Sequence, residues 1–202
     1  MKRLIFVMLL LATISSCQEV ENPSQDLILT ESEVQTLLFM REEEKLAHDV
    51  YAYSFEKYDV PIFQNIANSE SKHVLSVLKV MESFQLADPL NGSTIQGEFT
   101  NLTLSNLYSE LISRVDASLN ESILVGLLIE DLDINDLEIA ISETDQQNIA
   151  SMYENLKCGS MNHLRSFHEQ AIAAGITYAP EFISDSEFES IINSPKTGCN
   201  PK

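Results

Sequence analysis

Glu70 and His73 stand three residues apart in a segment whose other inward positions are apolar, so a carboxylate and an imidazole are carried into a hydrophobic core. In columns of seven residues, which nearly superimpose on a helical period, the segment reads Phe63, Glu70, Val77, Phe84 beside Ile66, His73, Val80. A buried carboxylate without a partner is costly unless it becomes neutral. A cation is the economical compensator, and the i, i+3 spacing lets one helix offer it an oxygen and a nitrogen together.

The same columns sort the other candidates. Glu44 falls with Leu37, Tyr51 and Tyr58 and points inward, whereas Glu42 falls with Gln35, Asp49 and Glu56 and reads as a solvated face. The next inward column is Val34, Arg41, His48, Phe55. It leaves His48 as a further nitrogen ligand, a hydrogen-bonding neighbour of the ligands, or a partly exposed residue. Farther along, Ile123, Glu130, Leu137 runs beside Gly126, Asp133, Ala140, whose small members leave room for an ion; Asp131, Asp136 and Glu138 read as solvent-facing. The last long segment gives Ile149, Leu156, His163, Gln170 beside Tyr153, Ser160, Phe167. Any one of these residues has a bland explanation, a hydrogen-bonded core histidine or a Glu paired with Arg41 or Arg165. A contribution from four segments favours one shared site. Four carboxylates, Glu44, Glu70, Glu130 and Asp133, with two imidazoles, His73 and His163, form the donor set that two neighbouring divalent metal ions require.

Helices must position these groups. Thr30 and Glu33 make a capping box for a first helix running to Tyr58, and Asp59, Val60 and Pro61 break it before a second helix that runs to about Phe84. Residues 85–102, with Pro89, Gly92 and Gly97, form a turn-rich connection, followed by a shorter helix at about Leu104 to Val115. Ser118 with Glu121 opens a third long helix to about Ile141, and Thr144 with Gln147 caps a fourth that ends near Gly175. A short amphipathic helix at Glu187 to Ile192 packs outside, and no segment alternates as a strand does. The prediction is all-α: a ferritin-like four-helix bundle over residues 30–194, with a crossover between its second and third long helices and a short C-terminal helix. One mismatch stands out. His163 lies nearly twice as far from the last interhelical turn as the third-helix ligands do, roughly 10 Å at 1.5 Å per residue, so either that turn is longer or the helices are axially offset.

Several stretches carry a resemblance: Met40 to Tyr51 (MREEEKLAHDVY), Ile66 to His73 (IANSESKH), Glu130 to Leu137 (EDLDINDL), Tyr153 to Leu156 (YENL) and Gly159 to Phe167 (GSMNHLRSF). Over about residues 32–192 the chain resembles the ferritin-like family filed as domain of unknown function 2202. More distantly, Glu44 with Tyr51, Glu70-x-x-His73 and Glu130-x-x-Asp133 resemble the di-iron pattern of rubrerythrins, which implies a di-iron centre that reduces hydrogen peroxide. By that resemblance the cofactor is two divalent ions, iron first, with manganese or zinc as alternatives, and the small-molecule partners are peroxide or dioxygen. Tyr51 or His48 would be the inward acid supplying protons. Ferritin-like sites take a carboxylate from the fourth helix; here His163 fills that place and Ser160 stands where a companion Glu would. The alternatives are a non-enzymatic metal-sequestering protein and a helical protein whose inward polar groups form a hydrogen-bonded network.

The ends and the composition bound the rest. Lys2 and Arg3 precede an apolar run, Leu4 to Ile14, too short to span a bilayer, and small Ser15 and Ser16 lead to Cys17. This resembles a bacterial lipoprotein signal, which implies removal of residues 1–16 and lipidation of Cys17. Residues 17–29 then form a tether anchored in the cell envelope, with Gln18 pointing to the outer membrane. The formal charge is -19, and -21 without Lys2 and Arg3. Such a surface repels nucleic acid and concentrates cations. Cys158 and Cys199 are the remaining cysteines, and in an oxidising envelope they are expected to pair; no C-x-x-C motif exists, which excludes a rubredoxin-type iron centre in this chain. Residues 195–202 read as a tail, and a homodimer is a further expectation. If the signal is used, Cys17→Ala releases the protein from membranes or blocks its processing, as fractionation and immunoblotting would show; unchanged association and processing would count against it.

Overall fold

The computed structural model describes residues 28–199. The leader, Cys17, most of the tether and residues 200–202 lie outside the described residues. Among the described residues there are six helices and no strand: α1 (Glu31–Tyr58), α2 (Pro61–Ser83), α3 (Leu102–Ala117), α4 (Leu119–Ser142), α5 (Gln147–Ala173) and α6 (Asp185–Ile192). None is long and apolar enough to cross a membrane. α1 packs along α2 and α4 along α5, the two pairs meet through α1 with α4 and α2 with α5, and α3 lies against α1 and α4.

Local chemistry sets the boundaries. The Thr30 and Glu33 box forms in both directions, and Asp59 ends α1 in the left-handed region at φ 54°. Pro61 occupies the first turn of α2, where no helical N–H bond is lost. Ser118 Oγ accepts from Glu121 N and starts α4 one residue after α3 ends. The Thr144 cap does not form: Gln146 is the N-cap of α5, and Thr144 instead donates to Glu33 Oε1 at 2.6 Å. A buried carboxylate 111 residues away in sequence, at the start of α1, competes successfully for the hydroxyl. The extra turn residues, with an axial offset, absorb the mismatch expected between α4 and α5.

Two apolar clusters fill the interior. One gathers Leu46, Val50, Phe63, Leu127, Leu164 and Phe167, the other Leu37, Met40, Val77, Met81, Leu137 and Leu156. Both helix hairpins contribute to each, so a layer of polar residues lies between them along the helix axes.

Of the α1 column expected to be solvated, Gln35 and Glu56 at its ends are exposed, but Glu42 and Asp49 in its middle are buried. Glu42 is 2% exposed and accepts from Thr100 N at 2.7 Å, from the Thr100 hydroxyl and from Asn101 N at 3.1 Å. Asp49 accepts from Gly97 N at 2.9 Å, Lys45 reaches Ile95 O at 2.7 Å, and Arg41 forks onto Asp88 at 3.1 and 3.3 Å. The crossover therefore runs over this face, and its backbone N–H groups need acceptors that only carboxylates on α1 supply. Asp131, also expected to face solvent, is 0% exposed and accepts from the amides of Glu181, Phe182 and Ile183 and from the Tyr178 hydroxyl. Glu138 is exposed and Asp136 half-buried.

Cys158 and Cys199 are joined, with Cα atoms 5.6 Å apart. Their bond holds the segment after α6 against α5, alongside Arg165 Nε, which donates to the Ile191 and Ser194 carbonyls at 2.8 and 2.9 Å.

Removing a docking carboxylate strands several buried donors at once. Asp131→Ala and Glu42→Ala are each expected to cost about 3 kcal/mol in urea unfolding, whereas Glu138→Ala, which loses only an exposed pair with Lys157, costs under about 1 kcal/mol.

Candidate metal centre

Between the two apolar clusters α1 presents Glu44, α2 presents Glu70 and His73, α4 presents Glu130 and Asp133, and α5 presents Ser160 and His163. Glu70 is the hub. Its Oε2 lies 2.6 Å from His73 Nδ1 and its Oε1 2.7 Å from His163 Nδ1. His73 Nδ1 is also 3.1 Å from Glu44 Oε2, and His163 Nδ1 is 3.5 Å from Glu130 Oε2. The two rings stack with centroids 5.5 Å apart. Two ligand groups result, Glu44–Glu70–His73 and Glu70–Glu130–His163, each with its donor atoms within 4.8 Å of one another. They share Glu70.

Asp133 lies next to both groups. One of its oxygens accepts the Ser160 hydroxyl, which also donates to Leu156 O, and Oδ1 has no partner. Tyr51, fully buried, donates to Glu130 Oε1 at 2.6 Å and packs on Phe167 with centroids 5.1 Å apart. Phe167 fits there because Gly126 has no side chain: a Cβ at Gly126 would come within 2.5 Å of the ring. The small column read as room for an ion thus makes room for an aromatic wall.

The donors fit a cation better than they fit one another. Glu44 Oε1, Glu70 Oε1, Asp133 Oδ1 and His163 Nδ1 are buried without a hydrogen-bond partner. Glu70 Oε1 and His163 Nδ1 are close yet not oriented as donor and acceptor, the geometry of two ligands aimed at a common point. Burial opposes the charge on Glu70, but the flanking His163 and His73 outweigh it and hold its carboxyl below the usual range. Burial pushes Glu44 up to about 7 despite His73. Asp133 is pushed well up by burial and then by the charges of Glu44 and Glu130. His163, although burial works against its charge, is lifted to about 10 by Glu70 and Glu130. Without a cation, these groups would have to balance their charge with protons.

Of the residues expected at the site, His48 is misplaced. It is half-buried, one turn beyond Glu44 and about 40° round α1, its Nδ1 2.9 Å from Asp49 Oδ1, at a cavity of about 460 Å³ shared with Arg41, Lys45 and Ser71. It joins neither ligand group and takes the partly exposed position, paired with Asp49 and not with the centre, so the roles of ligand and inward acid do not fall to it.

Gly159 is the residue the columns passed over. A Cβ there would stand 2.6 Å from His73 Nε2, so the bare backbone lets the imidazole turn Nδ1 toward Glu44 and Glu70. A glycine inside a helix is itself unfavourable, and that was the available signal. Glu43, assigned no role by its position, is 4% exposed, and no N–H or hydroxyl reaches its oxygens; the group within reach is the Asp136 carboxyl.

A family model described as "Uncharacterized protein domain (DUF2202)" matches residues 33–195. The uncharacterized protein MJ0754 of Methanocaldococcus jannaschii is 43% identical over 166 residues, covering 82% of this chain and 89% of its own length. A crystal structure of that hypothetical protein superposes with a TM-score of 0.82 at 41% identity, covering 84% of this chain and 97% of the other.

Gly159→Ala should reveal the contact with His73. An alanine within a helix ordinarily stabilises by about 1 kcal/mol relative to glycine; here thermal unfolding should show a loss, with a displaced His73 imidazole resonance. A gain in stability with an unmoved resonance would refute the contact.

Proposed function

We propose, for a chain that belongs to the DUF2202 family, a dinuclear metal protein of ferritin-like four-helix architecture, with iron as the favoured metal. It handles peroxide or dioxygen at the cell envelope, where a lipidated Cys17 would hold it. The observation that carries the reading is the bridging position of Glu70, which gives one oxygen to each of two imidazoles while buried donors on both sides lack partners.

Glu44, Glu70 and His73 would hold one ion and Glu70, Glu130 and His163 the other, with Asp133 as the fourth carboxylate. Two ferrous ions bound there would supply the two electrons that cleave the O–O bond of hydrogen peroxide, with two protons from solvent, reaching the centre through the opening beside the imidazoles, completing two waters. The chain's own residues do the rest. Tyr51, expected as the acid that supplies protons, would instead keep its proton, because burial and then the Glu130 charge push its pKa well up, and it orients Glu130 through that hydroxyl. Ser160 fixes Asp133 so that its second oxygen stays free. Phe63 and Phe167 pack as an apolar wall beside Tyr51 and limit water. On the histidine side, a cavity of about 320 Å³ bordered by Ser69, Lys72, Asn162 and both imidazoles admits a small polar molecule.

A second reading, metal retention without turnover, draws support from the side chains of His73 and His163, which are only 12% and 10% exposed. Adding peroxide to the anaerobic Fe(II) form separates the two: rapid oxidation with recycling by a reductant marks the oxidoreductase, and its absence marks the holder.

Ferrous, manganese or zinc ions should bind at about two per chain. Glu70→Ala, which removes a ligand from both groups, should abolish binding, and His73→Ala should remove one ion. Because His163 is protonated at neutral pH in the metal-free protein and must lose that proton to ligate, uptake should release protons. Affinity should then rise with pH toward about 10 and fall on acidification. Calorimetry in buffers of different ionisation enthalpy measures the release; wild type that retains no metal, or Glu70→Ala that retains both ions, would sink the reading.

A further inference from the structure

Glu43 is the buried charge that the metal centre does not use. It belongs to neither ligand group, and its oxygens are enclosed with no N–H or hydroxyl donor; the one side chain within hydrogen-bond reach is another carboxyl, Asp136, so the pair must share a proton or a cation. The charges that bear on it are carboxylates: Asp133 and Glu44 on the side of the centre and Asp136 on the outer side. Asp136 lies one helical turn beyond Asp133 on α4, is half-buried, and lines an open cavity of about 360 Å³ with Gln35, Met40, Asn101, Ala140 and Glu143. Met40 is one turn from Glu43 on α1. The acidic groups therefore form a file from the cavity inward, Asp136, then Glu43, then Glu44 and Asp133.

We propose that Glu43 and Asp136 form a transit site for divalent cations, through which metal reaches the dinuclear centre from this cavity. The route rests on the metal centre proposed above. A carboxylate buried among carboxylates without a donor is stable only if a cation or a proton visits it, and a chain of net charge -19 draws cations to acidic clefts. The donor types fit passage and not residence: all are oxygens, no imidazole borders the site, and Asp136 is partly engaged by Asn135 Nδ2 at 2.9 Å. The other opening toward the centre, on the histidine side, carries Lys72 at its border, whereas the Asp136 cavity is lined by Asp136 and Glu143 and by no lysine or arginine. Cations and small neutral substrates thus have separate doors.

The test is stopped-flow mixing of the metal-free chain with Co(II), reading the ligand-field absorbance for rate and the end point for stoichiometry. Glu43→Gln and Asp136→Asn, each close to its parent in volume, should both slow loading about tenfold or more while leaving the final cobalt content unchanged. Lys72→Gln, at the other opening, should load at the wild-type rate. If either acidic variant loads as fast as wild type, the route is wrong; if Glu43→Gln lowers the final content, Glu43 is a ligand and the transit assignment falls. Should Glu43→Gln fail to fold, Asp136→Asn, at a half-open position, decides alone. Wild type that takes up no cobalt would overturn the centre itself, and the route with it.

Discussion

Burying six ionisable groups midway along four packed helices is the constraint on which the rest of this structure depends. Glu44, Glu70, His73, Glu130, Asp133 and His163 form a polar layer that splits the interior into two apolar clusters, each fed by both helix hairpins. The apolar clusters supply the burial that holds the helices together. The layer between them opposes it, because carboxylates of like charge are desolvated side by side. Protons or cations must therefore accompany folding, and the position of Glu70 between two imidazoles is the geometric answer to that demand. Fold and candidate chemistry are here one energetic problem: a cation that binds only the assembled layer stabilises the assembly.

A second set of buried acids solves a different problem. Glu42 and Asp49 on α1 and Asp131 on α4 point away from the centre and accept backbone amides of the crossover and of the segment before α6. Irregular chain laid over a helix has N–H groups that the helix backbone cannot satisfy. A carboxylate can accept several of them at once, as Asp131 does from three consecutive amides and a tyrosine. The strongly acidic composition thus serves three separate purposes: an inner layer, two docking strips and a solvated remainder.

This division explains what was legible in the sequence. Helix boundaries followed capping residues, prolines and breaks almost to the residue, because those signals act locally. The inward columns picked out six residues that the fold brings together between the apolar clusters, since a charge flanked by apolar residues at helical spacing marks an unusual position whichever neighbour covers it. Glu42, Asp49 and Asp131 were misread for the complementary reason. A polar column reports polarity and not exposure, and what covers it is a loop whose path no periodicity encodes. His48 took the partly exposed outcome of the three its column allowed, because Asp49 beside it supplies its partner and the centre does not. Gly159 and Gly126 were unread or misread because their role is to leave space for His73 and Phe167 on other helices or other turns. Thr144 obeyed the capping rule in type but was taken by Glu33 from across the fold.

Charge balance links the departure at Ser160 to the chemistry. Four carboxylates, Glu44, Glu70, Glu130 and Asp133, neutralise two divalent cations when both imidazoles are neutral, so the layer would be electrically closed in a low-dielectric interior. A carboxylate at position 160 in addition to Asp133 would leave the reduced pair over-compensated, and the serine instead lends its hydroxyl to Asp133. α4 thereby supplies both carboxylates of this half of the layer, while α5 supplies only the imidazole. Any rise in the charge of ions held there would have to be met by proton loss within the layer or by a further anion beside it. Burial and the neighbouring Asp133, Asp136 and Glu44 favour the protonated form of Glu43, so it is the carboxyl whose proton such a rise would release.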